Sequence, residues 1–123
     1  MAVMKVHRDS LTVEFSSRES VWARRRSVTV PLAAVREVAC VERPLRETRG
    51  GRMGYQSFFA KIGVWGVFTG TRQLVAARRG EPGVRVVLDR AAAGADVDEI
   101  VVSRSNAAGL ARDIARGAGS AAA

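Results

Sequence analysis

The 123-residue chain has one cysteine, one histidine and three prolines. A lone Cys40 forms no internal disulfide, and with His7 far away in sequence it assembles neither a zinc site nor an activated thiol. Aromatic residues make up only 6% of the chain, so each large ring needs an explanation of its own. Acidic residues are also scarce, 12 against 20 basic ones, for a net charge of +8. The longest apolar run, 58–68, is interrupted by Lys61 and falls short of the ~20 residues that cross a bilayer. The opening MAVMKVHRDS carries no apolar signal core, and the expected compartment is the cytosol.

What is present is enough for one core. Hydrophobic residues reach 47% and charged ones 26%, too apolar for an unfolded chain. The length suits one domain of roughly 100–150 residues. Only Lys5 and Lys61 are lysines, so 18 of the 20 cations are arginine, whose planar fork holds carboxylates and phosphates. Anionic partners are therefore compatible with the composition.

Period-two alternation dominates the first ninety residues. Leu11, Val13 and Phe15 alternate with Thr12 and Glu14, and residues 4–6 form a partner strand across the turn at Arg8-Asp9-Ser10. Val28 and Val30 mark a third strand, ended by Pro31. Further strands are expected over 35–43, 62–69, 74–78, 84–88 and 99–103, with 62–69 and 74–78 forming a hairpin around Gly70-Thr71. A second hairpin is expected around Arg79-Gly80-Glu81-Pro82-Gly83. Residues 16–26 are polar and fit either a helical turn or a connection. From Ser105, Ala107, Leu110, Ala111 and Ile114 follow helical spacing, and Gly117 is placed to end the helix.

Residues 44–61 form a connection longer than compact domains ordinarily carry without a functional reason. Arg46, Arg49 and Arg52 lie there among Tyr55, Phe58 and Phe59. Arginines with aromatics typify interface hot spots. These residues and Trp65 are the candidate partner-binding set, although Phe58 and Phe59 would equally serve to cap an open end of the sheet body. Trp65 lies opposite Val64 in phase, so either both faces of its strand are buried or an apolar patch awaits a partner. Arg24, Arg25, Arg26, Arg78 and Arg79 are the candidate anion- or lipid-binding set. Alternatively, these arginines are dispersed over loops beside Glu19, Glu42, Glu47 and Glu81.

Catalytic groups are hard to assemble. Ser10, His7 and Asp9 share one short hairpin with no nucleophile elbow. Gly50-Gly51-Arg52-Met53-Gly54 lacks the Gly-Lys-Ser/Thr ending of a phosphate loop. Cys40 is expected to be a small buried strand residue. The reading is non-enzymatic, with no cofactor and no metal.

Three stretches, VPLAAVREV at 30–38, FTGTRQLVAARRGEPGVRVVLD at 68–89 and DEIVVSRSNAAGLARDIA at 98–115, resemble the bacterial pleckstrin-homology-like proteins of actinomycete type. They cover somewhat under half the chain. The resemblance implies a mainly β (α+β) fold: a barrel of about seven antiparallel strands in two near-orthogonal sheets, capped by one C-terminal helix. The domain would occupy residues 1–117, followed by a disordered tail at 118–123. That scaffold serves binding rather than a reaction. The expected role is a non-catalytic binding or assembly module that takes a protein partner or a second copy of itself. Peripheral binding to anionic membrane lipids is the alternative, and nucleic acid is disfavoured. The basic first-hairpin cluster of lipid-binding relatives is not reproduced, since that hairpin holds only Lys5, Arg8 and Asp9.

Overall fold

The computed structural model describes residues 2–66 and 71–122. The expected end of the 62–69 strand, at Thr69, and Gly70 of the hairpin tip lie outside them. In chain order the strands and helices are β1 (Val3–Val6), β2 (Ser10–Glu14), α1 (Ser17–Ala23), β3 (Ser27–Pro31), β4 (Val35–Val41), β5 (Arg52–Gln56), β6 (Ala60–Trp65), β7 (Gln73–Arg78), β8 (Gly83–Leu88), α2 (Arg90–Ala93), β9 (Glu99–Ser103) and α3 (Ala107–Ala122). Single 3-10 turns sit at Leu32–Ala34 and Pro44–Arg46.

The chain is mainly β, with two sheets and a C-terminal helix. β1, β2 and β3 make an antiparallel three-stranded sheet, and the second sheet has the order β4-β8-β9-β7-β6-β5. Leu11, Val13 and Val30 of the small sheet and Val64, Leu74, Val84, Val86, Ile100 and Val102 of the large one bury one shared core. Ala107, Leu110 and Ile114 of α3 complete it, as their helical spacing requires.

Several expectations are corrected. The described residues hold nine strands rather than seven, and the two sheets are not closed into a barrel. β7 and β9 run parallel, Leu74 beside Ile100 and Ala76 beside Val102, so the sheet is not wholly antiparallel. β7 and β8 do not form a hairpin with each other, because β9 is inserted between them. The reason lies in β9 itself: all five of its residues are buried. Ile100-Val101-Val102 is an unbroken apolar run, which belongs at the centre of a sheet covered on both faces.

Cys40 is exposed rather than buried, because β4 is an edge strand and Cys40 lies near its end. Within residues 16–26 a helix does form, Ser17–Ala23, opened by a capping box in which the Ser16 hydroxyl accepts from the Glu19 N–H and the Glu19 carboxylate accepts from the Ser16 N–H. Gly117 does not stop α3, which continues to Ala122 through the stretch expected to be a disordered tail. A Cβ at Gly117 would lie 2.7 Å from Leu32 Cδ1, so this glycine serves close packing instead. Among the described residues no helix is long and apolar enough to cross a membrane.

Candidate functional site

β4 and β5 occupy opposite edges of the six-stranded sheet, so residues 42–51 must cross its width. Five strand spacings amount to about 24 Å, and ten residues reach roughly 33 Å when extended. The connection is therefore a nearly direct strap over the outer face, the face turned away from the shared core.

Side chains of alternate strand residues receive the strap. Leu45 packs on Trp65, Val75, Ala77 and Val101, a second apolar cluster separate from the main core. Trp65 is only 3% exposed as a result, so both faces of β6 are buried there. Pro44 lies over Gly83, where an added Cβ would come within 2.9 Å of the proline Cβ. The Gln73 amide donates to the Glu47 carbonyl at 2.6 Å and to Glu99 Oε2 at 2.7 Å, and its oxygen accepts from the Arg49 N–H at 2.7 Å. Glu99 Oε1 in turn accepts from Arg49 and Arg85, both at 2.9 Å. Burial alone would push the Glu99 carboxyl up, but the hydrogen bonds from Gln73, Arg49 and Arg85, with the Arg85 charge, hold it below the usual glutamate range.

Lys61 also holds the strap. Its ammonium donates to the Leu45 carbonyl at 2.9 Å and to Thr48 Oγ1 at 2.6 Å, and lies 6.0 Å from the centre of the Trp65 ring. Desolvation, followed by the nearby Arg79 charge, lowers its pKa.

Where the strap begins, it forms one wall of a groove of about 960 Å³, with the β5–β6 hairpin and the turn after β7 as the other walls. Arg43, Arg46, Arg52, Lys61, Arg78 and Arg79 line it against only two carboxylates, Glu42 and Glu81. Arg46 and Arg52 of the 44–61 connection thus converge with Arg78 and Arg79. Arg79 sits 4.0 Å from the centre of the Phe58 ring and donates through Nε to the Phe58 carbonyl. Phe58 and Phe59 meet edge to face at the hairpin tip, 66% and 70% exposed. On the inner face of the same hairpin, Tyr55 lies 5.7 Å from Trp22 of α1. A second cleft of about 690 Å³ runs between α1 and this hairpin.

The candidate residues are therefore sorted. Arg46, Arg52, Phe58, Arg78 and Arg79 share the groove. Phe59 is exposed at the hairpin tip, and Tyr55, exposed on the inner face, lines the second cleft. Arg49 is engaged with Glu99, and Trp65 belongs to the second core. Arg25 is bound by both Asp96 oxygens, at 2.7 and 3.1 Å, and this pairing lowers the Asp96 pKa. Arg24 holds the left-handed C-cap of α1, with φ 59°, and Arg26 is exposed beyond it; none of these three lines the groove.

Sequence reasoning did not assign Lys61 to the site. Lys61 shares the strand phase of Trp65, and that phase was the available signal. Among the described residues no group of three or more His, Cys, Asp or Glu side chains is placed to hold a metal. The chain matches no family model, no curated protein and no solved structure.

Proposed function

We propose that the chain is a non-catalytic binding module of pleckstrin-homology-like type whose partner is a protein docking on the β5–β6 hairpin and α1. Two sheets over one core with a terminal amphipathic helix support the fold-family reading, while the unclosed sheets, the larger number of strands and the parallel β7–β9 pair depart from it. One observation carries the functional reading. The large exposed hydrophobic residues among those described are Val21, Trp22, Met53, Tyr55, Phe58 and Phe59, and all six belong to α1 or the β5–β6 hairpin. Large apolar side chains gathered at one place on a surface mark an interaction site. Burying each phenylalanine in a partner gains about 1.5–3 kcal/mol of transfer energy.

A displayed-peptide selection tests this reading, with wild-type protein as bait and the Phe58→Ser/Phe59→Ser double variant as counter-bait. The reading expects enriched peptides that bind the wild type and lose the double variant. Peptides indifferent to those two residues, or no enrichment, contradict it. If the partner is a second copy, light scattering will show mass rising with concentration.

The Phe58–Phe59 pair at a hairpin tip with arginines behind it favours a second reading, docking on an anionic membrane. There, each basic residue near the surface contributes about 1 kcal/mol. Co-sedimentation with phosphatidylserine vesicles across a salt series decides it, since this reading requires salt-sensitive binding.

A further inference from the structure

The β5–β6 hairpin exposes backbone as well as side chains. β5 pairs with β6 on one side and ends the sheet on the other. Two hydrogen bonds bracket the ladder, Gly66 N–H to the Gly51 carbonyl at 2.8 Å and Ser57 N–H to the Ala60 carbonyl at 2.9 Å. Bonded pairs alternate along an antiparallel ladder, so Met53 and Tyr55 bond to β6, while Arg52, Gly54 and Gln56 turn their N–H and C=O groups outward.

The two faces beside this edge differ in chemistry. Arg52 and Gln56 stand opposite Trp65 and Lys61 on the outer face and belong to the basic groove. Met53 and Tyr55 stand opposite Val64 and Ile62 on the inner face, with Trp22 against the Tyr55 ring.

Resting on the protein-binding reading above, we infer that the partner presents an extended acidic segment that adds to β5 as a further strand. Its side chains alternate between carboxylates in the Arg52–Lys61 groove and apolar groups over Met53, Tyr55 and Trp22. Strand addition satisfies the outward N–H and C=O groups, and a side-chain period of two delivers the two chemistries to the two faces. The excess of cations in the groove selects acidic side chains. A second copy is a poorer occupant, because each chain carries +8 and edge-to-edge pairing would set two basic grooves on one sheet face. A bilayer offers the edge no hydrogen-bonding strand.

Fluorescence anisotropy with two labelled peptides of identical composition tests the inference. One alternates Glu and Val, and the other carries the same residues as a Glu block followed by a Val block. The alternating peptide is expected to bind at least about tenfold more tightly than the block isomer. Arg52→Glu should weaken it by about tenfold and flatten its salt dependence. Gln56→Pro, which deletes an outward donor and no β6 bond, should weaken the alternating peptide selectively. A thermal melt confirms that each variant is folded; Arg52→Glu alters an exposed side chain and removes its hydrogen bond to Gln56 Oε1. Equal affinity for both isomers, indifference to both substitutions, or vesicle binding without peptide binding overturns the inference. If it falls while the displayed-peptide selection still yields Phe58- and Phe59-dependent binders, the protein-binding reading survives; if both fail, both are wrong.

Discussion

Gly54 and Gly63 face each other across the β5–β6 pair so closely that a Cβ on Gly63 would lie 2.7 Å from Gly54 Cα, and one on Gly54 would lie 2.8 Å from Gly63 Cα. Neither position has room for a side chain, and Gly63 also holds φ at +141°. This pair lets the edge strand lie flush against its neighbour and so builds the surface assigned to the partner. Gly63→Ala is expected to cost about 3 kcal/mol through backbone strain and contact, read by urea denaturation. Gly109→Ala is the counterpart: it lies in α3, a Cβ there meets nothing within 4 Å, and the substitution should stabilise by about 0.5–1 kcal/mol.

Glu99 ties the strap to the sheet through Arg49, Arg85 and Gln73. Its side chain is 5% exposed while that of Arg49 is 56% exposed. Glu99→Gln should therefore cost about 2–3 kcal/mol, at or below the lower end for breaking a fully buried pair. Urea denaturation at pH 7 gives the value, and an unchanged midpoint would count against this account of the strap.

The same residue sets an acid limit. Its folded pKa lies below the ordinary glutamate value, so its contribution is fully present above about pH 4.3 and is lost as pH falls through the folded value. Comparing the wild type with Glu99→Gln from pH 7 to pH 2, the wild type should lose more stability over the acid range, and the two curves should converge. Parallel curves contradict the assignment.

Three aromatic side chains near one another in sequence should behave oppositely. Phe58→Ser and Phe59→Ser alter exposed tip residues and should change stability by no more than about 0.5 kcal/mol, although Phe58 also loses its Arg79 contact. Trp65→Ala removes the centre of the second core and should cost about 3–5 kcal/mol. Thermal melts of the three variants check the contrast.

Sequence alternation located β2, β3 and β8 because each buries one face in the shared core, and the spacing of Leu110 and Ile114 located α3 for the same reason. Topology was not legible. Nothing local in residues 74–88 tells that a strand from residue 99 onward separates two segments joined by a four-residue turn. The continuous Ile100-Val101-Val102 run signals two-sided burial but not between which neighbours. For the candidate site, the sequence marked the arginine- and aromatic-rich connection at 44–61. It could not show that part of this segment crosses the sheet while another part becomes its edge strand. Arg46 and Arg49 both lie on the crossing part, one lining the groove and the other engaged with Glu99, while Arg52 opens the edge strand and lines the groove as well. Lys61 looked like a break in an apolar run because its partners, Leu45 and Thr48, lie sixteen and thirteen residues away.

Backbone amide shift mapping of isotope-labelled protein during titration with the alternating Glu/Val peptide tests the central claim most directly. The account predicts saturable shifts confined to Arg52, Gly54 and Gln56, to the groove at Phe58, Lys61 and Arg79, and to Met53, Tyr55 and Trp22 on the inner face, with the β1–β2–β3 sheet and α3 undisturbed. Shifts centred on the three-stranded sheet or on α3, or no shifts at saturating peptide, would contradict it.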